Sequence, residues 1–382
     1  MFEVILYISY GVLLFIAALM IRQLWFAMKH FTPPMYDSEL GNEVDMPSVT
    51  VCIPARNEMH ALAECLEKVI ASDYQRLEII VLDDVSGDDT SSLIKSFAHD
   101  GVRFVQGEAL PEGWLGKNHA LQGLLNEASG SYLLFMDVDT RIAPNAVSNM
   151  VRYALSQRAS MVSVLPRRED GWRASVIFSP LRYFWEVIFH HRFSPATATS
   201  AWFINRKVLQ EQFNGFNDLK DVVQPESKLS SSLAKTNEYR FLIGTTEFGV
   251  AYEKKWRSQL VTSTRLLFPL FKNDTSLAVV AVFDLAVFLV PTIIVISTFM
   301  TMGGWINIAG VAVAVVLSSI YGWYAHRVWN KGAILGAVLW PILILQEIIL
   351  IIVSIIQYRR HAVEWKGRPV YWAGNSKLKD EP

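Results

Sequence analysis

Two cysteines in 382 residues, Cys52 and Cys65, leave no spacing for a zinc site and no disulfide framework. Charge is also scarce. Charged residues make up 19% of the chain against 52% hydrophobic, less charge than a soluble enzyme usually carries. The net charge of -1 gives no electrostatic case for binding nucleic acid. No Gly-x-Gly-x-x-Gly follows the first strand-like run and no Gly-Lys-Ser/Thr loop is present, so dinucleotide-fold and P-loop readings lose their main support.

The abundant feature is long apolar runs. "FEVILYISYGVLLFIAALMIRQLWFAM" is too long and too aromatic for the core of a signal peptide, and no small-residue cleavage site follows it. It reads as a transmembrane helix from Phe2 to about Trp25, giving an N-terminal segment 1–29. Three further runs begin at Leu277, Trp305 and Ala333, each near the ~20 residues a bilayer requires, with Trp305, Tyr321, Trp323 and Tyr324 near their ends. Residues 274–358 are therefore read as C-terminal transmembrane segments and 359–382 as a basic tail. Arg22, Lys29 and His30 before the polar block 30–273, and Lys272 near its end, place that block in the cytoplasm of a multi-pass cell-membrane protein. Three full crossings would then leave "RRHAVEWKGR" outside, against its basic character. The sequence answers this by making one segment re-entrant, with the run containing Pro341 as the candidate.

Within 30–273 the pattern alternates between strand and helix. "PSVTVCIPARNE" is a β-branched strand running into a polar loop, and "LAECLEKVIAS" follows with helical spacing. "LEIIVLDDVSGDDT" is a strand ending on acids, with Asp88 or Asp89 able to cap the next helix. "VRFVQ" is a short strand. "NHALQGLLNEASG" is a helix ended by Gly130, "YLLFMDVDT" a buried strand, Pro144 a helix start, and "MVSVLP" a further strand. This alternation implies an α/β fold, a mostly parallel sheet covered on both faces, with ligands at the carboxyl ends of the strands. "PARNE", "DDVS" and "DVD" then meet along one edge. Asp137 and Asp139, without histidine or cysteine neighbours, suit a hard cation such as Mg2+ or Mn2+ that keeps positions open for phosphate oxygens.

"PARNE", "DDVSGDDT", "GWLGKNHAL" and "FMDVDT", in that order, resemble the family 2 glycosyltransferases, which have the GT-A (Rossmann-like) fold and use nucleotide-diphosphate sugars. "LPEGWLGKNHA" followed by "ASGSYLLFMDVDT" is similar to a membrane-attached branch that includes carotenoid-acid glucosyltransferases and hopanoid-associated transferases. The resemblance covers about Pro47 to Asn273. It implies that Pro54, Ala55, Arg56, Asn57 and Glu58 line a nucleotide pocket, UDP-sugar being favoured, and that Asp83 or Asp84 accepts from the base. Trp114 and Lys117 lie on the loop where a cation meets the diphosphate or sugar. Asp137 would lie near ribose and sugar, and Asp139 would hold the metal. The family's catalytic acid follows a Gly-Gly-Phe-like turn. Here "NGF" stands for the turn and "PES" replaces the usual Glu-Asp, which points to Glu226 as the base with Asp221 as the alternative. The Gln-x-x-Arg-Trp segment of processive members is absent, although Trp256, Arg257 and Gln259 occur in another order, and this favours transfer of a single sugar.

Other features are read from the residues alone. "KKWRSQLVTSTRLLFPLF" is basic and aromatic enough to lie on a membrane surface. His190 and His191, if helical, point apart and are read as structural or acceptor-side. Asp284 and Glu347 are acids within apolar runs, which by default suggests function. The expectation is an inverting, metal-dependent transferase acting on a membrane lipid of carotenoid, hopanoid, glycerolipid or sphingolipid type. The alternatives are a polyprenyl-phosphate glycosyltransferase and an inactive nucleotide-sugar-binding membrane subunit.

Overall fold

The computed structural model describes residues 2–34, 46–168, 173–298, 305–329 and 333–370. The chain opens with α1 (Phe2–His30), which continues past Trp25 because Phe26 to His30 offers neither glycine nor proline to end it. An alternating run follows: β1 (Val49–Ala55), α2 (Leu62–Ile70), β2 (Leu77–Asp83), α3 (Thr90–Ser96), β3 (Val102–Gln106), α4 (Gly116–Glu127) and β4 (Tyr132–Met136). Then come β5 (Thr140–Ile142), α5 (Ala146–Ser156), β6 (Met161–Leu165), α6 (Ala174–Ile177) and α7 (Arg182–Ile188). The second half holds β7 (Ala201–Asn205), α8 (Arg206–Phe213), α9 (Pro225–Lys235), β8 (Tyr239–Ile243), β9 (Val250–Tyr252) and α10 (Trp256–Leu270). It closes with α11 (Thr275–Thr298), α12 (Trp305–Val328), α13 (Ala333–Arg359) and a hairpin of β10 (Glu364–Trp365) and β11 (Arg368–Pro369).

These elements form two compact units. One contains residues 31–167, 191–253 and 363–382 and is built on a seven-stranded sheet of order β3-β2-β1-β4-β7-β6-β8. β3, β2, β1 and β4 run parallel, and β7 is antiparallel to both β4 and β6. β1 is buried along nearly its whole length, as expected of a parallel strand covered on both faces. On one side of the sheet Val51, Ile53, Leu66, Val69, Leu134 and Met150 share a core. From β1 the strand order runs outward through β2 on one side and to β4 on the other, so the crevice where ligands bind in such sheets lies between β1 and β4.

Two local readings, those of Gly130 and His191, are corrected, and the roles of Asp88 and Asp89 are distinguished. Gly130 does not end α4, which stops at Glu127. It serves a close approach instead, since a Cβ there would lie 2.6 Å from the Thr50 backbone N of β1. Asp89 is the residue at the start of α3 but makes no side-chain capping bond; Asp88 Oδ1, one residue earlier, accepts from the Thr90 N–H at 3.1 Å. His191 lies in a turn closed with Ser194, not on a helix, and its Nδ1 accepts from the Phe193 N–H.

The other unit contains residues 1–30, 168–190 and 254–362. Among the described residues, four of its helices are long and apolar enough to cross a membrane, between Glu3 and His30, Thr275 and Ile296, Asn307 and Val328, and Ile334 and Arg359. Pro341 does not interrupt its run. It sits inside the continuous helix α13, eight residues after its first, where the missing N–H forgoes one backbone hydrogen bond without ending the helix. Residues 173–190 pack among these helices: Phe184 meets Tyr321, Tyr324 and Trp340 edge-on. Glu347 is buried and its carboxylate accepts from the Leu181 N–H at 3.1 Å, whereas Asp284 is exposed on α11. In α10, Gln259 is buried and donates to the carbonyls of Ser175 and Lys254, while Val261 and Leu270 on the same helix are exposed.

Candidate active site

The first wall of the site is the loop after β1. β1 and β2 pair in register, Ala55 opposite Asp83, and the Asp84 N–H then donates to the Ala55 carbonyl at 2.8 Å. Pro54 and Ala55 therefore end β1 beside the start of "DDVS". Asn57 takes a left-handed backbone (φ 51°), and its side-chain oxygen accepts from the Gly87 N–H at 2.8 Å. The Asn57 N–H donates to Ser86 Oγ and the Glu58 N–H to Thr90 Oγ1, both at 3.0 Å. Arg56 donates to the carbonyls of Asp84 and Val85. "PARNE" and "DDVSGDDT" are thus one interlocked pair of loops.

The two adjacent acids of the second loop differ. The Asp83 carboxylate accepts from the Ser86 N–H, Ser86 Oγ and Ser91 Oγ, so it is spent holding the turn. The Asp84 carboxylate accepts instead from Arg368 Nη1, at 2.8 and 2.7 Å to its two oxygens. Both acids are about 1% exposed. Burial pushes the Asp84 carboxyl above the ordinary aspartate range, against the opposing pull of Arg368 and, more weakly, of Arg56 and His119.

The third loop leads into α4. Trp114 packs edge-on to His119, ring centroids 5.6 Å apart. Lys117 Nζ lies 3.0 Å from Asp137 Oδ1, both side chains partly buried. Asn118, 1% exposed, donates to the carbonyls of Leu219, Lys220 and Val222, and the Leu115 N–H donates to Lys220. Residues 114–118 therefore join Asp137 on one side to the loop that leads into Glu226 on the other.

Asp137 and Asp139 follow β4. Val138 and Thr140 are buried while the two acids between and before them are half-buried, so both carboxylates lie on the more open side. The Asp137 N–H donates to Ser200 O, as does Thr140 Oγ1. Thr197, three residues before Ser200, bonds through Oγ1 to Ser230 Oγ of α9 at 2.7 Å. Glu226 is one helical turn before Ser230, in the first turn of α9 behind Pro225, and is 2% exposed. Asp221 is half-buried in the preceding loop.

The residues present fit a divalent cation of limited protein ligation. Among the described residues no group of three or more His, Cys, Asp or Glu forms a ready-made cage. Asp137 faces the Lys117 ammonium, and Asp139 stands two residues further on; carboxylates so placed after a strand could offer oxygen to Mg2+ or Mn2+. Neither cysteine takes part: burial pushes the Cys65 thiol up to about 12, and that of Cys52 higher still.

Sequence reading missed Lys366 and Arg368, which it assigned to a basic tail, and Asn118. The signal for the first two was "EWKGRP", in which Lys-Gly between a Trp and an Arg has the form of a two-residue hairpin turn.

Comparison with known proteins agrees with this geometry. Residues 50–212 match the family model "Glycosyl transferase family 2". The chain is 30% identical over 112 residues to GalNAc(5)-diNAcBac-PP-undecaprenol beta-1,3-glucosyltransferase of Campylobacter jejuni, covering 28% of this chain and 35% of that one. It is 28% identical over 169 residues to 4,4'-diaponeurosporenoate glycosyltransferase of Staphylococcus aureus, covering 40% of this chain and 44% of the relative. The chain thus spans less than half the length of these curated relatives. Among solved structures, a mannosyltransferase from Pyrobaculum calidifontis in complex with GDP-Man and Mn2+ superposes with a TM-score of 0.57 at 19% identity, over 94% of this chain and 98% of that one, a likeness of fold. The strand-end loops built on β1, β2 and β4 accordingly belong to a glycosyl transferase family 2 domain of GT-A-like fold, on a chain with one N-terminal and three C-terminal helices long and apolar enough to span a membrane.

Proposed function

We propose that this chain transfers a single sugar, with inversion, from a nucleotide-diphosphate sugar to a membrane-embedded lipid. The observation that carries the reading is the convergence of "PARNE", "DDVS", "GWLGK" and "DVD" at the carboxyl edge of parallel strands, in a chain that also carries four long apolar helices. Asp84 and the Arg56–Glu58 loop receive the nucleotide, UDP being the favoured one. Lys117, held beside Asp137, offers positive charge to the diphosphate or sugar. A divalent cation on Asp139 would neutralise charge on the leaving diphosphate. Glu226 takes the proton from the acceptor hydroxyl as its oxygen bonds to the anomeric carbon. The bond from that carbon to the diphosphate breaks, and the electron pair leaves with the diphosphate.

The test is mass spectrometry of lipids from a host expressing the chain, joined to an assay of purified protein with UDP- and GDP-sugars and Mn2+ or Mg2+. A new glycolipid is expected. Absence of any glycolipid, together with no donor turnover, would remove the proposal. A product on polyprenyl phosphate would favour the second reading, which the burial of Glu226 supports: a phosphate acceptor needs little help from a base.

The flanking basic residues support a cytoplasmic position for the catalytic unit. The hairpin after α13 bonds to Asp84 and Glu58 of that unit, so both lie on one side of the membrane. An even number of the three C-terminal helices then crosses fully. Protease applied to intact cells is expected to cut neither near Asp88 nor within Glu364–Pro369. Cleavage of the hairpin alone, with the Asp88 region protected, would overturn this parity.

A further inference from the structure

The C-terminal hairpin touches each of the first three motif loops. Lys366 and Gly367 both take positive φ, 50° and 76°, as a two-residue hairpin turn requires. Lys366 Nζ is 2.8 Å from Glu58 Oε1, and its carbonyl accepts from Arg56 Nε at 3.1 Å. A Cβ added to Gly116, the first residue of α4, would lie 3.1 Å from the Trp365 ring and 3.1 Å from Arg368 Nη1, so that glycine makes room for the hairpin. Arg368 in turn bonds both oxygens of the buried Asp84 carboxylate.

We propose that this hairpin is a working part of the donor site and that Arg368 is a positioning residue, holding Asp84 oriented and ionised to accept from the nucleotide base. This rests on the nucleotide-sugar reading above. Two features favour a lasting support over a plug that the donor must expel. Removing one partner of a buried ion pair leaves an uncompensated charge, so the donor gains little by displacing Arg368. A carboxylate also has about four lone-pair positions. Arg368 Nη1 takes one on each oxygen, which leaves capacity for a base N–H. The charged groups facing Asp84 are Arg368 from the hairpin, Arg56 from the β1 loop and His119 from α4. Arg56 is engaged with backbone carbonyls, and burial holds His119 below the ordinary histidine range. Arg368 is therefore the main compensation for the buried carboxylate.

The experiment measures UDP and GDP binding, with Mn2+, to the purified full-length protein and its Arg368→Gln and Arg368→Lys variants between pH 6 and pH 8.5. Arg368→Gln is expected to weaken nucleotide binding by roughly tenfold or more, the scale of one charge-assisted hydrogen bond. The sign of the pH effect follows from the carboxylate being the accepting form. Losing Arg368 raises the Asp84 pKa further, so binding should fall off at higher pH in the variant than in the wild type and recover toward pH 8.5. Arg368→Lys should restore most of the affinity and the wild-type pH profile. In turnover, donor KM should rise while kcat changes little. Should Arg368→Gln fail to fold, Lys366→Gln takes its place, with a several-fold weaker affinity expected. Unchanged binding in these variants would overturn the hairpin's role and leave the transferase reading standing. Tighter binding would overturn it in favour of a plug. A wild-type protein that binds neither nucleotide would overturn both.

Discussion

Asp139→Ala is expected to lower turnover by about 10²–10³-fold or more, the rate equivalent of losing several kcal/mol of metal-derived charge stabilisation. The protein should still fold and insert, because Asp139 is half-buried beyond the end of β4 and the core contacts there come from Val138 and Thr140. Its backbone carbonyl, which accepts from the Glu253 N–H, survives the substitution. Asp137→Ala is expected to be less clean. It would strip Lys117 of its partner at 3.0 Å and so disturb the turn at Trp114–Asn118 as well. Steady-state kinetics across a Mn2+ and Mg2+ titration checks the assignment, with circular dichroism as the control for folding. Full activity of Asp139→Ala, or of the wild type in excess chelator, would sink it.

Much of the sheet was legible because burial writes itself directly into parallel strands. "VTVCIPA", "LEIIVLD" and "VRFVQ" are apolar or β-branched runs bounded by turns, and each became a strand at nearly the expected place. The acids after these strands stood out because packing does not call for them. What stayed hidden depends on distant contacts. Gly130 looks like a helix stop, yet its smallness serves β1, which lies 80 residues away in the sequence. "SPLRYFWEVIFH" has the composition of an ordinary core helix, yet Phe184 packs against Tyr321, Tyr324 and Trp340 in the apolar-helix unit. The different surroundings of Asp83 and Asp84 were equally closed to sequence, since they come from Ser86 and Ser91 for one and from Arg368, 284 residues later, for the other. Asn118 gave no local sign of its role either, because its partners are three backbone carbonyls about a hundred residues away.

Glu226→Gln should cost ~10²–10⁴-fold in turnover on a hydroxyl acceptor, the usual contribution of a positioned base. The substitution preserves size and removes only the basic site, which matters at a residue 2% exposed. The first turn of α9 should hold its shape, because Pro225 at the helix start and the buried Leu229, Ser230 and Leu233 fix it independently. Donor binding should be nearly unchanged, since the nucleotide contacts proposed above are on the loops after β1 and β2, while α9 is tied to the chain before β7 through Ser230 and Thr197. A helix-terminal acid that merely favoured the dipole would behave differently, losing at most about 1 kcal/mol of stability and little activity. Asp221→Asn is the control, with a much smaller loss expected. If Asp221→Asn abolished turnover and Glu226→Gln did not, the base would be Asp221, and the stretch Leu219–Val222 held by Asn118 would carry the catalytic group. If neither mattered while the chain still transferred sugar, the acceptor nucleophile would already be ionised, as a phosphate is, and the polyprenyl-phosphate reading would take precedence.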